Sequence, residues 1–384
     1  MNSINFFKKA LMLIALVGMT MSFVACGDDN NEPDVNQLDS KKTAIITQYV
    51  NGVVIPTYRS LADEANQLAV LCEELRNNPA QSKLNDCCDK WISARKYWEL
   101  SEAFLFGAAA DYNIDPHIDS WPLQKSQLDN ILANHALIAA LDEDGAAADA
   151  FATLGYGLLG FHAVEYVLFR DGAPRNVNEI SEAELIYNAA VAQDLANQTV
   201  RLEASWAGMN HVSTAKQNQL EEFELEPSFN YGENMINAGM TGNAIYKTQL
   251  AAMEQILTGA SDISDEVGNT KITDPVNSGN VLDVESWYSW NSIADFTDNI
   301  RSVRNVYYGS LDGTVNSNSM AAYMNKVNST LDNNVRTAID NALKEVSSMP
   351  APFRNHLSKG ETQKAVDACN NLLDALDAAI EGLN

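Results

Sequence analysis

Basic residues are scarce in this sequence. Its 384 residues carry 25 Lys and Arg against 51 Asp and Glu, a net charge of −26. A field of that sign repels nucleic-acid backbones and anionic bilayers and draws cations. No local basic patch interrupts it, so nucleic-acid binding is excluded. Cysteine is sparse as well, five in all. None fall in Cys-x-x-Cys pairs, which argues against a disulfide scaffold and a thiolate zinc site. Alternating apolar and polar runs are few, too few for a sheet. No Gly-x-Ser-x-Gly elbow or P-loop occurs, and no dinucleotide fingerprint set between a strand and a helix. What is present is ordinary for a folded protein: 46% apolar and 20% charged residues, in a length that suits two domains.

The N-terminus reads as an address. Lys8 and Lys9 precede an apolar stretch, Ala10 to Val17, too short to span a bilayer. Cys26 follows Phe23-Val24-Ala25, which resembles the lipobox where bacterial lipoproteins are cleaved and acylated. The alternative is a plain secretory signal with a chance cysteine. Residues 1–25 are therefore expected to be a signal peptide and 26–38 a polar tether. Gly27 followed by Asp28 and Asp29 resembles the sorting signal of outer-membrane, surface-exposed lipoproteins. Loss of Lys8 and Lys9 takes the net charge to −28. Cys72 and Cys87 flank the turn signal Asn77-Asn78-Pro79 and would lie level on two antiparallel helices, in reach of a disulfide.

Beyond residue 38 the pattern is helical. Leu61, Leu68, Leu71 and Leu75 recur at helical spacing, with Pro56 starting or kinking that helix. Further helices are expected over 82–106, 146–169, 181–209, 230–257, 284–308, 317–347 and 362–383. The glycine- and asparagine-rich stretch 259–279 reads as a long loop. The fold class is all-α, in two four-helix-bundle-like halves, 39–210 and 211–384. Aromatic-rich helices ending in Gly107 and Gly309 suggest that the halves arose by duplication.

Four clusters carry potential chemistry. His162 and Glu165, in Gly160-Phe161-His162-Ala163-Val164-Glu165, project from one helix face in apolar surroundings. Bundle interiors present metal ligands at this spacing, and the pair suits iron, zinc or manganese. The competing reading is a hydrogen-bonded core pair. Arg95, Trp98, Glu99 and Glu102 lie along one helical stripe, or form a solvated face. Asp115, His117 and Asp119 cluster in a loop, where turn capping is the competing role. Ser289, Trp290, Asn291, Asp295, Asp298 and Arg301 form the last group, with caps and intrahelical pairs as the alternative.

In order along the chain, several segments resemble the imelysin family, also filed as peptidase M75. They are Val54-Ile55-Pro56-Thr57-Tyr58, Ala94-Arg95 with Ser101 through Gly107, Ile118 through Pro122, Gly160 through Tyr166, Phe296 through Ile300, and Val306 through Gly309. The fourth matches the family's Gly-x-His-x-x-Glu motif. The resemblance implies two duplicated bundles with a site near their interface, and a role in bacterial iron uptake. It implies His162, Glu165 and Glu102 as metal ligands for iron, or for zinc. Arg95, Trp98, Glu99, Asp119, Ser289 and Asp295 would line the same cleft. Partners would be a metal ion or iron compound, uptake proteins, and the membrane through a lipid on Cys26. Hydrolysis is not demanded: Tyr166 follows Glu165, so the second histidine of a zincin or inverted zincin helix is missing. A surface metallopeptidase and a non-catalytic scaffold for a protein or peptide remain the alternatives.

Overall fold

The computed structural model describes residues 38–142 and 155–383. The signal segment, Cys26 and all of the tether but Leu38 lie outside the described residues, as does the 146–154 start of one expected helix. Leu38–Asn384 belong to one compact unit. The fold is all-α, as expected; among the described residues the one strand pair is Phe169–Arg170 with Ala173–Pro174. No described helix is long and apolar enough to cross a membrane.

Helix α1 (Ser40–Tyr49) passes through a π turn, Val50–Val54, into α2 (Ile55–Asn77). Pro56 stands in the first turn of α2, directly after the π turn. A tight turn leads to α3 (Gln81–Glu99). After the short helix α4 (Ile114–Ile118) come α5 (Gly160–Leu168) and α6 (Glu182–Ala207). Ser181 and Glu184 form a reciprocal capping box at the start of α6, as their spacing predicts. The helices α2, α3, α5 and α6 pack in a closed ring. A second ring is built from α7 (Gln249–Glu266), α8 (Ser292–Tyr308), α9 (Ser329–Ser347) and α10 (Lys359–Glu381). The rings meet where α3 packs on α8 and the turn Glu102–Phe104 packs on α7 and α8. One continuous apolar core runs through both.

Several helix boundaries differ from expectation, each for a local reason. The stretch 259–279 is not a loop: α7 continues through a π turn, Val267–Ile272, into a helix ending at Ser278. Two of its glycines are packing contacts, and Gly279 ends the helix in left-handed backbone. A Cβ on Gly259 would stand 2.3 Å from the Ala103 carbonyl oxygen, and one on Gly268 would stand 2.9 Å from Cys369 Cβ. Conversely, the expected helix 230–257 is broken. Only Tyr231–Ile236 is helical before Gln249. Between them the Asn243 side chain donates to the Asn234 and Asn237 carbonyls and accepts from the Tyr246 N–H, replacing helix bonds with its own. Helix α8 starts at Ser292 rather than 284, because Ser286 and Trp290 adopt left-handed backbone. Helix α3 stops at Glu99, short of Phe106, and Asn328 divides 317–347 by capping α9. The thiols of Cys72, Cys87, Cys88 and Cys369 are free and buried. Cys72 and Cys87 do face each other, and the neighbouring Cys87 thiol, then burial, pushes the Cys72 thiol up.

Candidate metal centre

The last two turns of α3 point Arg95, Trp98 and Glu99 inward, at the i, i+3 and i+4 positions of one face. Arg95 and Glu99 have no exposed surface at all. A guanidinium held this way must be paired, since an unpaired buried charge is prohibitively costly; only its Nε lacks a hydrogen-bond partner. Four carboxylates surround it. Arg95 pairs with Asp119, lies 2.5 Å from Glu99 and 2.6 Å from Glu285, and has Asp295 at 3.8 Å. Asp119 also accepts from the Trp98 indole N–H at 2.7 Å, and Asn299 of α8 donates to Glu99.

His162 stands beside this group. Gly160 makes the placement possible. It has φ +71°, and a Cβ there would lie 2.0 Å from the Ile118 carbonyl oxygen. Only glycine lets the start of α5 lie against the end of α4, so that His162 meets Asp119. Gly160→Ala is expected to cost at least about 1–3 kcal/mol from the backbone conformation alone. The denaturation midpoint checks this; an unchanged midpoint would show that the close approach does not matter.

The two faces of the imidazole have different fates. Nδ1 lies 3.2 Å from Glu165 Oε2. The other Glu165 oxygen accepts from the Ser289 N–H at 2.8 Å and the Ser289 hydroxyl at 2.7 Å. Both Glu165 oxygens are thus engaged with protein groups. Nε2 lies 3.1 Å from Asp119 Oδ1 and 4.0 Å from Glu285 Oε1, but it is buried without a hydrogen-bond partner. The same is true of Glu285 Oε2 and Asp295 Oδ2. Charged neighbours stand close, yet out of line for a hydrogen bond. The Trp121 ring covers His162, with ring centroids 4.5 Å apart.

Asp119, Trp121 and Glu285 of this cluster also line a cavity of about 360 Å³. Glu102, Asp115 and Asp119 line it from the first ring, and Glu266, Lys271, Asp274, Asp283 and Glu285 from the second. The Lys271 ammonium sits 3.1 Å from Glu285, 3.9 Å from Glu266 and 4.0 Å from Glu102. Electrostatically the site is short of positive charge. Burial pushes Glu99 and Glu102 well above the usual carboxylate range despite Arg95 and Lys271. Burial also lifts Asp115 and Asp295 to about 7. Asp119 goes the other way: burial opposes ionisation, but Arg95 and His162 hold it below its ordinary value. Burial opposes the imidazolium too, yet Asp119 and then Glu165 raise His162 to about 9.

The donor set fits a cation. One donor atom from each of Asp119, His162 and Glu285 lies within 4.8 Å of the others, and Glu99, Glu102 and Asp119 form a second such group. A first-row metal with bonds of about 2.0–2.2 Å needs its donors about 3–3.5 Å apart, so small side-chain shifts close the first group. Imidazole with carboxylates suits iron, zinc or manganese.

Of the residues the sequence singled out, Arg95, Trp98, Glu99, Glu102, Asp119, His162, Glu165, Ser289 and Asp295 come together here. Asn291 supports Asp295 through a 2.6 Å hydrogen bond. His117 does not join them; it pairs with Asp194 at 2.7 Å. Asp298 and Arg301 pair with each other across one helical turn. Sequence reasoning missed Glu285, Lys271, Glu266 and Asn299 as site residues. For Asn299 a signal existed, since it shares the inward face of α8 with Asp295 at i+4.

The family model described as Imelysin (Peptidase M75) matches residues 54–379. Iron-regulated protein A of Synechococcus elongatus is 25% identical over 374 residues, 97% of this chain and 92% of its own. Among solved structures, a protein described as an iron-regulated protein A precursor from Parabacteroides distasonis superposes with a TM-score of 0.78 at 29% identity. The match covers 92% of this chain and 97% of that one. An imelysin-like protein from Psychrobacter arcticum shares the fold, with a TM-score of 0.65 at 14% identity over 89% of this chain and 94% of its own.

Proposed function

The chain belongs to the imelysin family, and from that premise we propose that it binds a metal cation, iron above all, in the cavity between its two helical rings. The observation that carries this reading is the buried, unpartnered His162 Nε2 facing Asp119 and Glu285 in a site crowded with carboxylates. His162 Nε2, Asp119 and Glu285 would hold the ion, with Glu102 and Glu99 supplying further oxygens. Glu165 acts from behind: it fixes the ring through Nδ1 and is itself fixed by Ser289, the carboxylate–histidine arrangement that orients metal-binding imidazoles. A bound cation supplies the positive charge that the raised carboxylates lack. The names of the Synechococcus and Parabacteroides relatives favour iron. On this reading the protein serves iron uptake from the outer membrane, held there by a lipid on Cys26. A hydrolytic role draws no support from Glu165, whose two oxygens His162 and Ser289 occupy.

Calorimetric titration of the metal-free protein with ferrous iron and with zinc tests the reading. One ion per chain is expected, and no heat of binding would refute it. Glu165→Gln keeps the shape but cannot stabilise or orient the ring as the carboxylate does. Affinity is expected to fall about 10–100-fold.

Binding is also expected to release a proton. With its value near 9, His162 is an imidazolium at pH 7 in the metal-free protein, and the metal needs the neutral ring. Affinity should therefore climb with pH from 6 toward 9 and level off above. Titration in two buffers of different ionisation enthalpy reads the proton directly; equal heats in both would contradict the assignment.

A further inference from the structure

We propose that the cavity takes its metal as an aquated cation and turns away anionic chelates, so that the chelator is left outside. The inference rests on the metal-binding reading above and names the form of the cargo. Size does not decide the matter. At about 30 Å³ per water, 360 Å³ holds roughly a dozen waters, enough for a hydrated ion or a small polycarboxylate complex. Charge does decide it. An anionic chelate presents carboxylate or phenolate oxygens, and a site that binds it needs free cationic or N–H donors for them.

Apart from the unpartnered indole N–H of Trp121, this wall offers the opposite. Glu102, Asp115, Asp119, Glu266 and Glu285 face the cavity, and Lys271 is its one cationic side chain among the described residues. The Lys271 ammonium is already surrounded by Glu285, Glu266 and Glu102. Arg95 is fully buried among Asp119, Glu99 and Glu285, does not line the cavity, and turns its unpartnered Nε toward Asp295, so it has no face to give a ligand. His162 Nε2 faces Asp119 at 3.1 Å and Glu285 at 4.0 Å, so a ligand carboxylate placed there would stand against two acids. Lys271 thus acts as a tethered cation on Glu285, a competitor of the metal rather than a clamp for its chelator.

Equilibrium dialysis of the full, metal-depleted protein tests this with two labels. One arm uses radioactive zinc chloride or ferrous iron alone. The other uses the same metal premixed with carbon-labelled citrate in excess. The proposal expects metal to be retained in the first arm and no citrate in the second, whether or not the protein strips the metal from it. Retention of metal and citrate together in equal amounts overturns the proposal and leaves the metal site standing. Retention of neither label in either arm overturns both. Lys271→Met separates the two roles of the lysine. Affinity for zinc equal to or higher than that of the parent, up to about tenfold, is expected for a competitor. Loss of zinc binding in a folded Lys271→Met protein shows instead that the ammonium is needed to hold the cargo, and contradicts the proposal.

Discussion

His162→Ala is expected to weaken metal binding by at least about 100-fold, a larger loss than any change behind the ring produces. The imidazole is the one nitrogen donor in the cluster, and its Nε2 is buried without a hydrogen-bond partner. The effect on the metal-free protein should be smaller. Asp119 keeps Arg95 and Trp98, and Glu165 keeps both bonds from Ser289. The remaining loss is of the order of one or two charge-assisted hydrogen bonds, about 1.5–3 kcal/mol each at most. Its pH dependence has a definite sign. The folded-state value is raised to about 9 from the ordinary 6.5. The imidazolium therefore stabilises the fold fully below about pH 6.5, and that contribution disappears as pH rises through 9. The stability gap between parent and variant should be widest near pH 6 and narrow by pH 9. Calorimetry with zinc, together with urea midpoints at the two pH values, checks both parts. Undiminished zinc binding in the variant would remove His162 from the site.

Arg95→Met should produce the largest loss of stability. Methionine fills much of the same volume, so the change is chiefly one of charge. It leaves Glu99, Asp119, Glu285 and Asp295 facing one another in the interior with only Lys271 and His162 nearby. Removing one partner of a buried ion network costs about 3–5 kcal/mol. The deficit should shrink as pH falls, because the stranded carboxylates then take up protons. A second substitution, Glu99→Gln, should recover part of it, since it removes one of the stranded carboxyl groups. Added zinc should stabilise the variant more than the parent by replacing the missing positive charge, provided the pocket still closes. A denaturation midpoint within about 1 kcal/mol of the parent at pH 8 would show that Arg95 does not hold the cluster together.

Helical spacing made much of the site legible in the sequence. Arg95, Trp98 and Glu99 share one face of α3, and His162 and Glu165 share one face of α5, so each group converges once its helix forms. Asp115 and Asp119 converge across one turn of α4 for the same reason. His117, one of the same short run, leaves the group because that turn sends it to Asp194. What stayed hidden sits where the chain departs from regular helix. Glu285 lies in a segment whose path depends on left-handed Ser286 and Trp290, and no local pattern announces that. Lys271 lies in a stretch whose composition reads as loop. The stretch is helical only because Gly259 and Gly268 let α7 and its extension press against Ala103 and Cys369. Those contacts join parts of the chain far apart in sequence, so tertiary packing overrides the local signal.

An anomalous-scattering map from crystals of the protein loaded with iron or zinc, recorded at the absorption edge of that metal, bears most directly on the central claim. One peak is expected in the cavity, about 2.0–2.2 Å from His162 Nε2 and from carboxylate oxygens of Asp119 and Glu285, with Glu165 touching the ring rather than the ion. A metal-loaded crystal whose peak lies elsewhere, with His162 still unligated between Asp119 and Glu165, would contradict it.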